Sequence, residues 1–169
     1  YVRAGIPVLG IEPARNVAEV ARTERGIPTL CEFFDDELAL RLSQDGKQAD
    51  VIHAHNVLAH VADLNGFVRG VSRVLAPDGV FIIEVPWVRD LIDKVEFDTI
   101  YHEHLCYFSL ASLSPLLGRH GLAMADAVHL PIHGGTLRCY VSHAERTTPS
   151  RRLVRLIEDE LAWGSQDEA

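Results

Sequence analysis

Val80-Phe81-Ile82-Ile83-Glu84-Val85-Pro86 is the clearest buried strand in the chain, entered from the turn Pro77-Asp78-Gly79 and stopped by a proline. It closes a regular series. Val8-Leu9-Gly10-Ile11 is a short apolar run that ends at Glu12-Pro13, the stretch 27–34 is a second strand with its exit loop, and Asp50-Val51-Ile52-His53-Ala54 is a third. Between them, 16–25 stops at Gly26, 36–42 stops at Asp45-Gly46, and 64–75 carries Phe67, Val68, Val71, Val74 and Leu75 on one helical face. Strand and helix in strict alternation predict a parallel α/β sheet with right-handed crossovers.

After Pro86 the pattern changes. A short helix is expected over 87–94, and 96–108 has no clean period. A helix over 112–120 ends at Gly121, and 122–130 and 137–141 read as antiparallel edge strands around Pro131-Ile132-His133-Gly134-Gly135. A last helix is expected over 151–163. The chain divides into a unit over 1–145 and a helix over 146–169 that leads toward another domain. Trp87 and Trp163 read as packing residues.

Composition narrows the function classes. The 169 residues are 47% hydrophobic and 24% charged, as in one soluble domain with a core. The formal net charge of −8 without a long basic run argues against nucleic acid or an anionic membrane as partner. No apolar run is long enough for a membrane span, and the N-terminus is not built as a signal peptide. Cys31, Cys106 and Cys139 are isolated and odd in number, so a reducing, cytoplasmic setting is expected. The first residue is Tyr1, not Met, and the chain is expected to begin inside a longer protein.

Ligands of open α/β sheets bind beyond the carboxyl ends of the strands. Glu12 stands at such an end, its turn fixed by Pro13, where a carboxylate can accept two ribose hydroxyls of an adenosine group. That chemistry suits nicotinamide and S-adenosylmethionine cofactors alike; the plain alternative is a solvated loop acid. A glycine-rich loop should precede such an acid by roughly 20 residues. Only 11 residues precede Glu12, so that loop and its strand are expected to lie outside the sequence. By position, Asn56, Val57 and Leu58 offer backbone groups to the cofactor's amino-acid end, and Glu32 or Phe33 approaches the adenine.

Asp98-Thr99-Ile100-Tyr101-His102-Glu103-His104-Leu105-Cys106-Tyr107-Phe108-Ser109 packs two histidines, a glutamate and two tyrosines into one loop. Such groups transfer protons and stabilise oxyanions. The stretch from Glu96 to His104 resembles the signature of the deoxysugar C-methyltransferases of antibiotic biosynthesis. His133-Gly134-Gly135-Thr136-Leu137-Arg138 is similar to the same family's His-Gly-Gly-Ser-Leu-Arg element, with Thr136 keeping the hydroxyl. Gly10 to Pro13, Asn56 to His60 and Ile83 to Pro86 match in order and spacing, so the resemblance covers nearly the whole chain.

The resemblance implies a Rossmann-like class I methyltransferase sheet, mostly parallel with antiparallel C-terminal edge strands, that lacks its first strand and glycine-rich loop. It implies S-adenosylmethionine as cofactor and a nucleotide-linked 4-keto-6-deoxy sugar as substrate, methylated on carbon at the 3-position. It implies His104 as the base that makes the enolate, Tyr101 and Glu103 as its helpers, and His60 across the crevice at the keto oxygen. Tyr107, His133, Gly134, Gly135 and Arg138 would meet the substrate. Zinc would sit only in a separate N-terminal module, and a sugar-binding domain would follow.

Three rivals remain open. The pairs His53/His55 and His102/His104, with Glu103, have the spacing of a mononuclear metal site. Glu12 also suits a nicotinamide-dependent oxidoreductase, although Tyr101 is followed four residues later by Leu105 and not by lysine. The third is an inactive piece that only binds a ligand, its unpaired sheet edges favouring association.

Overall fold

The structure, a computed structural model, describes residues 1–164. The element order is β1 (Gly10–Ile11), α1 (Arg15–Thr23), β2 (Thr29–Leu30), α2 (Asp36–Gln44), β3 (Ala49–His55), α3 (Leu64–Val74), β4 (Leu75–Pro86), α4 (Val88–Asp93), α5 (Leu110–Gly118), β5 (Leu122–Leu130), β6 (Thr136–His143) and α6 (Arg151–Gly164). Residues 165–169 of the second expected unit lie outside the described residues.

The strands form two sheets. β1 and β2 pair in parallel, and the larger sheet has the order β3-β4-β6-β5. β3 and β4 are parallel; β6 is antiparallel to both β4 and β5. This is the α/β Rossmann-like architecture of class I methyltransferases, with the expected antiparallel strands at its C-terminal side. β6 sits inside and β5 is the edge, because the turn after β5 carries the chain back between β5 and β4.

The core lies on one face of the larger sheet. Phe81, Ile83 and Val85 of β4 are fully buried with Leu137, Cys139 and Val141 of β6, under Val68 and Val71 of α3, Leu113 and Leu117 of α5, and Leu153 of α6. The opposite face carries polar side chains: His53 and His55 from β3, Glu84 from β4, Arg138 and Tyr140 from β6, matched in register across the strands. β3 is largely uncovered on this side. It has one neighbour, and only Ala54 along it is buried. The turn at Pro77-Asp78-Gly79 departs from expectation: these residues lie within β4, where a register shift opposite Ala49 and Val51 absorbs them.

Helix starts follow local chemistry. Asp35 caps α2 by accepting from the Leu38 amide, Asp63 caps α3 through Gly66, and Ser109 with Ser112 forms a capping box at α5. α2 joins the two sheets: Leu38, Ala39 and Leu42 pack with Val74 of α3 and with Ile11, Leu30 and Ile52 from three strands. Just beyond β2, Phe34 meets Phe67 of α3 edge to face at 5.1 Å. The carboxyl ends of β2 and β3 thus open on the same side, with β1 parallel to β2.

Candidate active site

Beyond β4 the chain makes a long excursion whose base is pinned. Trp87 and Phe108 form a bridge, and the Val88 amide donates to the Phe108 carbonyl at 2.9 Å. Farther out, the Leu105 amide donates to the Ala59 carbonyl at 2.8 Å, and the Cys106 thiol reaches the Leu58 carbonyl at 3.7 Å. Burial raises the Cys106 thiol above its ordinary range, in keeping with packing and not nucleophilic attack. These contacts seat the 96–108 segment against the short 3-10 turn Leu58–His60 that follows β3.

Four aromatic side chains meet there. His104 Nδ1 lies 2.9 Å from the Thr99 carbonyl, and His104 Nε2 lies 2.8 Å from the Tyr101 hydroxyl. A carbonyl oxygen only accepts, so Nδ1 carries the proton toward Thr99. In the neutral imidazole, Nε2 is then the free lone pair, and it accepts from Tyr101. The Tyr107 hydroxyl donates to the same Thr99 carbonyl at 3.3 Å. The His60 ring stands edge to face against His104 at 5.0 Å, and Tyr107 does so at 6.1 Å. His104 is half-buried while Tyr101 and His60 are exposed, so the cluster is held and open to solvent at once.

Glu103 stands apart from the cluster. Its carboxylate is exposed, and its recorded partner is His102, at 4.0 Å. Chain geometry explains this: His104 turns inward at the 3-10-like turn closed by the bond from its own amide to the Tyr101 carbonyl, which leaves 102 and 103 at the tip.

The residues expected at the cofactor line the ends of β1, β2 and β3. Glu12 Oε1 accepts from the Ala14 amide at 2.8 Å, which fixes the side chain at the start of α1. Phe33 is 76% exposed and borders a shallow depression of about 280 Å³ lined also by Glu32, Asp35, Glu37, Leu38 and Arg41. Glu32 is ion-paired with Arg41 across that depression. Asn56 has a left-handed φ of 54° and donates its amide to the Glu84 carbonyl at 2.8 Å, so the chain turns sharply at the end of β3. Val57 is exposed, whereas Leu58 is fully buried and its carbonyl takes the Cys106 thiol and the Val61 amide. Pro13 is exposed, and its carbonyl accepts from the Cys31 thiol at 3.6 Å.

The Gly134-Gly135 turn packs against α4 and the start of the 96–108 segment. A Cβ on Gly134 would fall 2.0 Å from Glu96 Oε2, and one on Gly135 would fall 1.6 Å from Asp90 Oδ2, at φ values of 80° and 148°. Asp90 is buried, 2.5 Å from His129 Nε2 and 3.3 Å from Lys94 Nζ, and Lys94 also donates to the Gly134 carbonyl. His133 is exposed on this turn with a φ of 48°. Arg138 lies on the polar face of the sheet, its Nε 2.5 Å from Glu84 Oε1; Glu84 Oε2 in turn lies 3.3 Å from His55.

The two His-x-His pairs are far apart in role. His53 and His55 touch each other on β3, with 3.2 Å between Nδ1 and Nε2, while His102 and His104 point in opposite directions. Among the described residues, no three His, Cys, Asp or Glu side chains converge as a metal-binding group. The carbonyl of Thr99 and the Asp90–Lys94–His129 cluster escaped sequence reasoning. A backbone acceptor has no residue-type signature, and the cluster joins α4 to β5 across 39 residues of sequence.

The methyltransferase domain family matches residues 2–127. The C-methyltransferase NovU of Streptomyces niveus is 36% identical over 165 residues, which cover 97% of this chain and 39% of that protein. This chain thus spans about two fifths of that relative's length. Among solved structures, the CcbJ methyltransferase from Streptomyces caelestis superposes with a TM-score of 0.65 at 13% identity, over 84% of this chain and 76% of that one. The magnesium protoporphyrin IX methyltransferase ChlM from Synechocystis PCC 6803, with bound SAH, does so with a TM-score of 0.60 at 13% identity, over 83% and 66%. At such identities these two show a shared fold.

Proposed function

The chain belongs to the methyltransferase domain family, and on that premise we propose that it carries the S-adenosylmethionine-dependent C-methylation of a nucleotide-linked 4-keto-6-deoxy sugar, at the carbon next to the ketone. The observation that carries this reading is the His104 imidazole, held through Nδ1 by the Thr99 carbonyl with its Nε2 lone pair turned to Tyr101 in an open cluster. O-methylation needs a base at a hydroxyl. C-methylation needs one at a carbon acid, with a donor near the oxygen where charge collects. The cluster offers both.

The donor residues fit the cofactor. Glu12, held at the end of β1 through Oε1, would take the ribose hydroxyls; Phe33 would offer its exposed ring to the adenine; the turn at Asn56 and Val57 would border the amino-acid end. S-adenosylmethionine bound there supplies an electrophilic methyl group.

His104 Nε2 takes the proton from the C3 position, and the electron pair moves onto the keto oxygen as an enolate. The Tyr101 hydroxyl leaves Nε2 and donates to that oxygen, with His60 facing it from the other side. With S-adenosylmethionine bound, the enolate carbon would take the methyl group as the sulfur–methyl bond breaks, its electron pair staying on the sulfur of the departing S-adenosylhomocysteine. Glu103, at the exposed tip, orients the sugar, and Tyr107, His133, Gly134, Gly135 and Arg138 line its path. Such a positioned base contributes roughly 10²–10⁴-fold. The net charge of −8 fits a small-molecule substrate, not nucleic acid. No helix among the described residues is long and apolar enough to cross a membrane.

The test is methyl transfer from labelled S-adenosylmethionine to a 4-keto-6-deoxy sugar nucleotide by the intact protein, beside His104→Ala. The variant should bind S-adenosylhomocysteine like the parent yet turn over about 10²-fold more slowly or worse. Undiminished turnover would remove His104 from the role of base.

A further inference from the structure

Glu160 is a carboxylate in the wrong place for a surface helix. It is only 4% exposed, on the apolar face of α6 that also carries Leu153 and Ile157. Among the described residues no cation pairs with it; its partners are three neutral donors. Trp87 Nε1 donates to Oε2 at 2.6 Å, the Leu110 amide donates to Oε2 at 2.8 Å, and the Ala111 amide donates to Oε1 at 2.7 Å. Burying an ionised carboxylate is costly unless it is fully hydrogen-bonded, and the two amides are the first of α5, at the positive end of its dipole.

These donors sit at the two ends of the catalytic excursion. Trp87 is where the chain leaves β4, and Leu110 and Ala111 follow directly on the Phe108 return. Between them lie Tyr101, His104 and Tyr107. The rest of α6 reinforces the same base. Arg89 of α4 stacks over Trp87 at 5.3 Å and over Trp163 at 6.0 Å, and Trp163 Nε1 donates to Asp93 Oδ1 at 2.9 Å. A helix that comes last in the described chain thus grips both feet of a loop that begins some 70 residues earlier.

We propose that Glu160 is a positioning residue for the reaction: by closing the base of the 88–109 excursion through Trp87 and the α5 N-terminus, it fixes where His104 stands. The inference rests on the reading of His104 as the base. An amide at position 160 presents a donor to at least one of the three donors, so Glu160→Gln should loosen the base without leaving a cavity. The Glu12 wall lies on other elements and stays as it is.

In the intact protein, Glu160→Gln should lower kcat by about tenfold or more, with KM for S-adenosylmethionine within about twofold of the parent. Amide hydrogen exchange over 99–107 should quicken while that of β3 and β4 does not. Trp87→Phe, which deletes one donor and keeps an aromatic ring in its place, should shift both readouts the same way by less, and it decides the matter if Glu160→Gln does not fold. An unchanged kcat, or a KM for S-adenosylmethionine that rises in step with the loss, overturns the proposal. If the unaltered protein methylates no 4-keto sugar nucleotide, the substrate reading fails. Exchange over 99–107 then decides alone: quickening upholds the role of Glu160 at the loop, and unchanged exchange overturns it.

Discussion

At the scale of single residues, charge is used where neutral groups would leave donors unmet. Asp126 on β5 accepts from the Ala127 amide at 2.9 Å, from the Ser150 hydroxyl at 2.5 Å and from the Arg152 guanidinium, and so ties the start of α6 to the sheet. The Arg152 guanidinium beside it holds its carboxyl below the ordinary aspartate range. A depressed folded-state value means that the carboxylate stabilises the fold above the unfolded value of about 4 and ceases to as pH falls through the folded one. Asp126→Asn should therefore unfold at lower urea than the parent at pH 7, and the gap should narrow below about pH 4. A gap independent of pH would show that Asp126 acts by shape alone. The His104 tautomer follows the same economy, since a carbonyl as partner leaves only one nitrogen able to accept a proton.

At the scale of elements, the α2–α3 contact carries the β1–β2 wall. Gly70 of α3 faces the Asp35 carbonyl and Ala39, and a Cβ there would come to 2.9 Å and 3.1 Å of them. The helices approach this closely because Gly70 has no side chain, and through α2 they place β1 and β2 beside the larger sheet. Gly70→Leu should cost about 1–3 kcal/mol of stability by forcing the pair apart. It should also weaken S-adenosylhomocysteine binding, measured by calorimetry, while amide exchange over 99–107 stays at the parent's rate. Unaltered affinity would mean that the β1–β2 wall keeps its place without this contact.

At the scale of the whole molecule, no strand pairing among the described residues joins the two sheets, and α2 packs against both. β1 and β3 each have a partner on one side, and the β3 side chains Val51 and His53 are exposed. Unpaired strand edges are templates for association. The chain of 169 residues by itself is expected to sediment with a concentration-dependent increase in mass, and Val51→Lys should suppress it. A monomer at all concentrations would show that the edge is already blunted by its polar residues.

The order of strands and helices, the carboxyl-end position of Glu12 and the loop that joins Tyr101 to His104 were all legible in the sequence, because periodicity and residue chemistry are local properties. Legible too was the helix over 151–163, although nothing in the sequence singled out Glu160. Only the tertiary structure decided that Pro77-Asp78-Gly79 is absorbed within β4, and that Glu103 stands outside the cluster it adjoins in sequence. It also decided the partners of Asp90 and Glu160. Burial and hydrogen bonding depend on which neighbour arrives from 40 to 70 residues away, and no local pattern records that arrival.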